Sequence, residues 1–118
     1  MTTNNASVLP RRFLRPLLFL GLSQSDRSYG YELAEAVRGF GLSIDMAGIY
    51  RELRSMEHKD LLSSEWVSSD NGPDRRVYIV TESGREALNQ AIADLELARD
   101  QLSAALDAVS VNAAKKAR

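Results

Sequence analysis

The chain has 118 residues, 44% hydrophobic and 26% charged, with a formal net charge of −1 and no cysteine. That is one domain of ordinary globular composition, and the missing cysteine excludes disulfides, thiolate metal sites and cysteine nucleophiles together. No apolar run approaches the roughly 20 residues of a membrane span, and the opening MTTNNASVLPRRF has no charged-then-apolar signal layout, so a cytoplasmic location without a membrane partner is expected.

In chain order, residues 1–9 are polar and unpatterned and are expected to form a flexible arm. Pro10 or Pro16 suits the first turn of a helix, where a missing N–H costs little. Leu14, Leu17, Leu18, Leu20 and Leu22 make that helix apolar on nearly every side, which predicts burial between its own core and a second partner. Ser28 is placed to cap a second helix over 29–38, which Gly39 and Gly41 stop around Phe40. Ser43 or Asp45 then caps a third helix over 46–58. At roughly 100° per residue, Ile49, Leu53 and Met56 share one narrow arc, with Tyr50, Arg51, Arg54, His58, Ala47 and Gly48 opposite.

Asp60 stands where the chain leaves this helix, and Asp tolerates left-handed backbone. Two strand-like runs, 63–68 and 75–80, flank a six-residue cluster of turn formers at 69–74, the pattern of a β-hairpin. Thr81, or Ser83 with Glu86 as a capping box, opens a last helix reaching about residue 110. In it Leu88, Ile92, Leu95, Leu102, Leu106 and Val109 repeat at spacings of four and three. That seam exceeds what a small core needs. With Leu14 and Leu18 it is expected to meet a second subunit. Residues 111–118, with Lys115, Lys116 and Arg118, read as a basic disordered tail.

An Arg-faced helix, a strand, a tight basic turn and a second strand form the order a winged helix-turn-helix requires. The expected fold is therefore α+β, mainly α: a winged helix-turn-helix over 10–81 with a long C-terminal dimerisation helix over 82–110. Small Ala47 and Gly48 would let the third helix approach base edges. Arg51 and Arg54 suit guanine acceptors or phosphates, and Tyr50 suits a phosphate oxygen. Arg75 and Arg76 would lay the wing on the DNA backbone. Against this stands an ordinary solvated helix on which Arg51 and Arg54 pair with Glu52, Glu57 or Asp45. Charge is unevenly spread: Arg11, Arg12 and Arg15 meet no acid before residue 20, whereas Glu82, Glu86, Asp94, Glu96, Asp100 and Asp107 outnumber Arg85 and Arg99.

Enzymatic chemistry has little to stand on. His58 is the lone histidine and lies at a helix C-terminus, where a cation is mildly favoured. There is no Gly-rich phosphate loop and no metal-ligand spacing, so no catalytic residue, metal or cofactor is expected. Trp66 is read as an anchor of the hairpin against the last helix, with the lining of an effector pocket as the other role. Tyr29 and Tyr31 are read either as phosphate contacts or as packing.

The segments Leu17-Leu18-Phe19-Leu20-Gly21-Leu22, Ser28-Tyr29-Gly30-Tyr31-Glu32-Leu33, Gly48-Ile49-Tyr50-Arg51-Glu52-Leu53 and Leu61-Leu62-Ser63-Ser64-Glu65-Trp66 occur in that order. They continue into Gly72-Pro73-Asp74-Arg75-Arg76-Val77-Tyr78 and Thr81-Glu82-Ser83-Gly84-Arg85. Over about 10–110 the chain resembles the PadR family of winged-helix transcriptional regulators. The resemblance implies a homodimeric repressor, joined through its C-terminal helix, that leaves double-stranded DNA when an effector binds. It places Tyr50 and Arg51 on the recognition helix and Arg75 on the wing. Three departures stand out: Tyr29 where the family often has His, Lys59-Asp60 in place of an acidic-Gly turn, and no tryptophan in the last helix. The last removes support for an aromatic sandwich around planar ligands and leaves the identity of any small-molecule effector open. The competing function is a winged-helix protein-interaction module without DNA binding.

Overall fold

The computed structural model describes residues 9–25 and 27–116. The expected arm over 1–8 and the last two residues of the expected tail lie outside the described residues. Leu9 is already packed on the core rather than part of an arm. Extended Pro10 leads into a 3-10 turn, Arg11–Phe13, that runs directly into helix α1, Leu14–Leu22. Leu14, Leu17, Leu18, Phe19 and Leu22 are all buried by their own chain. The all-round apolar helix is thus filled within one subunit, and Leu14 and Leu18 are core residues rather than the dimer contacts expected of them.

Ser28 is not a helix cap. It is buried in a three-residue strand β1, Arg27–Tyr29, and the next helix α2, Gly30–Gly39, starts one residue later. The Glu32 carboxylate accepts a hydrogen bond from the Tyr29 N–H at 2.8 Å, satisfying a donor that the helix start leaves open. Gly41, at φ 107, turns the chain after α2 in a conformation that a Cβ would oppose. The Asp45 carboxylate caps helix α3, Met46–His58, by accepting from the Gly48 N–H at 2.8 Å. Ile49, Leu53 and Met56 are fully buried, as their shared arc requires.

Asp60, at φ 65, takes the left-handed conformation that ends α3 and starts strand β2, Leu62–Val67. The loop 68–74 leads into strand β3, Arg75–Val80, which pairs antiparallel with β2 on one side and with β1 on the other. Tyr78 of β3 lies at the bottom of the sheet, 2% exposed, while Trp66 is 65% exposed. Tyr78, not Trp66, is therefore the hairpin's aromatic anchor, and Trp66 stands off the last helix.

Thr81 joins α3 to the last helix. Its hydroxyl donates to the Asp60 carbonyl at 2.6 Å and accepts from the Gly84 N–H at 2.9 Å, capping helix α4, Glu82–Lys116. Gly84 packs so tightly there that a Cβ would lie 1.8 Å from the Leu61 carbonyl oxygen. At 1.5 Å per residue α4 is about 50 Å long. It is helical through Lys116, so 111–116 are not a disordered tail; Ala113 and Ala114 favour helix strongly enough to continue it. Leu88 is buried in the protomer's own core and is not free for a partner, whereas Leu97, Leu102, Leu106 and Val109 are more than half exposed.

Gly84→Ala is expected to lower the unfolding free energy by more than about 2 kcal/mol, because backbone must move to admit the methyl. Gly39→Ala, where a Cβ meets nothing within 4 Å, is expected to raise it by about 0.5–1 kcal/mol. Urea titration of both variants checks this. Equal midpoints would contradict the packing described.

Candidate nucleic-acid interface

The outer face of α3 is defined by what has been removed from it. Glu52 is held by the Arg15 Nε from α1, whose NH2 also donates to the Ser55 hydroxyl at 3.2 Å. Glu57 is held by the Arg76 guanidinium from β3 at 3.1 Å. Arg76 Nε donates to the Ser64 hydroxyl at 2.9 Å, and that hydroxyl donates to Glu57 at 2.6 Å. Asp45 is engaged as the helix cap. The three acids that were candidates to neutralise Arg51 and Arg54 are all occupied. Arg51 and Arg54 are exposed, and among the described residues neither has an ion-pair partner. Half-exposed pairs of this kind add only about 0–1 kcal/mol each to stability. Their larger effect is electrostatic, since they cancel the negative charge that Glu52 and Glu57 bring to α3.

Ala47 lies open beside Arg51, but Gly48, placed on the same face by helical geometry, is buried. A Cβ on Gly48 would lie 2.9 Å from Ile44 and 3.0 Å from the Arg11 guanidinium. The small residue there makes room for the Ile44 side chain and for Arg11. Arg11, Arg12, Arg15 and Arg51 consequently share one shallow depression with Glu52. The sequence leaves Arg11 open between a phosphate contact and a charge that only flanks the first helix. Only the fold brings it against the start of α3.

On the wing side, Arg75 lies over the stacked rings of Tyr29 and Tyr31, 5.8 and 5.5 Å from their centroids, and donates to the Tyr31 hydroxyl at 3.4 Å. The two rings are 5.6 Å apart and nearly parallel. Arg76 spreads over Trp66 and Tyr78, so it is fixed within the protein where Arg75 is exposed. Tyr50 leans on Gly30; a Cβ there would come within 2.5 Å of its ring. The predicted residues Tyr29, Tyr50, Arg54, Arg75 and Arg76 therefore converge on one groove between α2, α3 and the wing. Tyr31 and Trp66 join them; for Trp66, lining a pocket is the second of the two roles read in the sequence. Burial pushes the Tyr78 phenol above the ordinary tyrosine range, opposed by the Arg76 guanidinium, so it stays protonated at neutral pH. Among the described residues no cluster of acids and His58 is arranged to hold a metal.

A capped helix with free arginines on its open face, a basic hairpin beside it and a three-stranded sheet behind define a winged helix-turn-helix protein. Residues 19–90 match the model of the transcriptional regulator PadR-like family, and the chain belongs to that family. It is 36% identical over 70 residues to a probable transcriptional regulator of Mycobacterium tuberculosis, a match covering 57% of this chain and 37% of that protein. The chain thus spans little more than a third of that relative's length. Among solved structures, a PadR-like transcriptional regulator from Bacillus cereus aligns at TM-score 0.71 and 25% identity, covering 81% of this chain and 93% of that one. A PadR family transcriptional regulator from Eggerthella lenta aligns at TM-score 0.63 and 29% identity, covering 80% and 86%.

Arg76→Ala leaves Glu57 unpaired and strips cover from Tyr78, and is expected to cost about 1–3 kcal/mol in urea unfolding. Arg54→Ala, exposed and unpaired, is expected to stay within about 0.5 kcal/mol of the parent. Equal losses would show that the two arginines do not differ as described. The alkaline limb offers a separate check. A folded-state phenol pKa raised above its unfolded value adds stability that is present below about pH 10 and drains away as pH rises further. Tyr78→Phe is expected to make that alkaline fall shallower in denaturation followed against pH; an unchanged slope would refute it.

Proposed function

We propose that this chain is a homodimeric, sequence-specific DNA-binding repressor that occupies a pseudo-palindromic operator. The observation that carries the proposal is the open face of α3, where Arg51 and Arg54 have no ion-pair partner among the described residues because Glu52, Glu57 and Asp45 are engaged elsewhere. Arg51 and Arg54 reach base edges or phosphates in a major groove. Tyr29, Tyr50 and Arg75 hold the backbone, and Arg11 joins them at the start of α3. Arg76 acts by fixing the wing to α3.

The second copy is supported by the surplus of α4. Between α1 and α4 runs a groove of about 570 Å³, lined by Phe13, Phe19, Ala91, Leu95 and Ala98, and beyond it Leu102, Leu106 and Val109 lie bare. Burying such side chains is worth about 25 cal/mol per Å² of apolar surface. Ile92, Leu95, Leu102, Leu106 and Val109 are the dimer contacts this leaves from those read in the sequence. A two-fold axis through them sets two recognition helices about 34 Å apart, one turn of the duplex. A cytoplasmic location follows from a role on DNA. An effector, if the cell supplies one, is left without a chemical name by this seam. A protein-interaction module has in its favour only the net charge of −1 and the acids of α4.

Polarisation titration against duplex from the protein's own promoter tests the reading. Affinity is expected to fall steeply with salt, and Arg51→Ala to cost about 1–3 kcal/mol of binding. Negligible, salt-insensitive binding by a folded protein would overturn it. Sedimentation is expected to give a dimer at micromolar concentration, and Leu102→Glu with Leu106→Glu a monomer. A monomeric parent would refute the second copy.

A further inference from the structure

The wing and the recognition helix enclose a groove of about 630 Å³, within the about 300–1,000 Å³ typical of small-molecule sites. Its wall alternates rings and guanidinium groups: Tyr31, Tyr50 and exposed Trp66 with Arg54, Arg75 and Arg76. Buried Tyr78 also lines it, and Gly30 brings the positive N-terminal end of α2 to its edge. Arg76 is balanced by Glu57, but Arg54 and Arg75 have no carboxylate partner among the described residues; Asp74 is the acid on the wall.

The geometry points to a site for a nucleoside phosphate, its base stacked on the face of Trp66 that Arg76 leaves open and its phosphate between Arg54 and Arg75, in competition with duplex DNA. Aromatic faces accept a planar base whatever its edge pattern. Two guanidinium groups without a carboxylate partner among the described residues match the double charge and three oxygens of a phosphate monoester better than a single carboxylate. A duplex keeps its bases paired and stacked, so it offers this groove only a backbone phosphate, held by the same Arg54 and Arg75. The two ligands therefore exclude one another. Only that exclusion rests on the DNA-binding reading; the site itself does not.

Trp66 is the single tryptophan in the chain, so its fluorescence reports occupancy directly. Adenosine monophosphate added to the full-length protein without DNA is expected to give a saturable change. Adenosine or inorganic phosphate alone is expected to bind at least about tenfold more weakly, as is the monophosphate to Arg75→Gln or Arg54→Gln, each having lost a charge-assisted hydrogen bond. Arg54 makes no internal hydrogen bond among those resolved, so its variant serves even if Arg75→Gln unfolds. No saturable change with folded protein, or undiminished affinity in folded variants, would overturn the site. Displacement of bound promoter duplex by saturating monophosphate supports the competition, and a ternary complex overturns it. Protein that binds the monophosphate but no duplex would sink the repressor reading while leaving the site intact.

Discussion

The pairing of Glu52 with Arg15 and of Glu57 with Arg76 is the interaction on which the rest of this molecule turns. It ties α1 and β3 to the two ends of α3's outer surface, so helix, wing and first helix hold one orientation. It also cancels the negative charge that Glu52 and Glu57 would otherwise leave on α3. Weak as such pairs are in stability, a charge close to an unscreened phosphate matters across about a Debye length, roughly 8–10 Å. The formal net charge of −1 thus says little about the local field at α3.

The remaining architecture serves to hold that arrangement rigid. Ile49, Leu53 and Met56 bury one face of α3 against Leu18, Leu33 and Val37, leaving the opposite face no freedom to rotate. Asp45 fixes where the helix begins. Asp60 fixes where it ends, and through Thr81 that end is bonded to the start of α4. The end of α3 and the start of α4 are thereby joined through the Thr81 hydroxyl and the close-packed Gly84.

Much of this was legible in the residues. The bounds of α3, a cap at Ser43 or Asp45, the left-handed Asp60 and the hairpin followed from periodicity and turn chemistry, because each is a local property; the structure chooses Asp45. What failed was non-local. β1 is three residues long, too short for alternation to register, and exists because β3 has a second edge to satisfy. Trp66 pairs with Arg76, two residues from Tyr78, so both aromatic rings lie on one face of the sheet, and only position along the strands decides that Tyr78 is buried and Trp66 is not. Leu14, Leu18 and Leu88 were recognisable as apolar, but periodicity does not say whose core covers them. Arg15 and Glu52 are 37 positions apart, so no sequence spacing could pair them. The family resemblance assigned α3 as the recognition helix and the hairpin as the wing. It gave no sign that Gly48 accommodates Arg11 or that Trp66 opens on a groove.

The central claim is that engaged acids leave α3 a positive reading face, and a thermodynamic cycle on Arg15 and Glu52 tests it most directly. Promoter-duplex affinity would be measured for the parent, Arg15→Gln, Glu52→Gln and the double variant at one low salt concentration. Arg15→Gln is expected to weaken binding by uncovering Glu52, and adding Glu52→Gln to restore most of the loss. Arg15→Gln with parental affinity, or a double variant as weak as Arg15→Gln alone, would contradict the account.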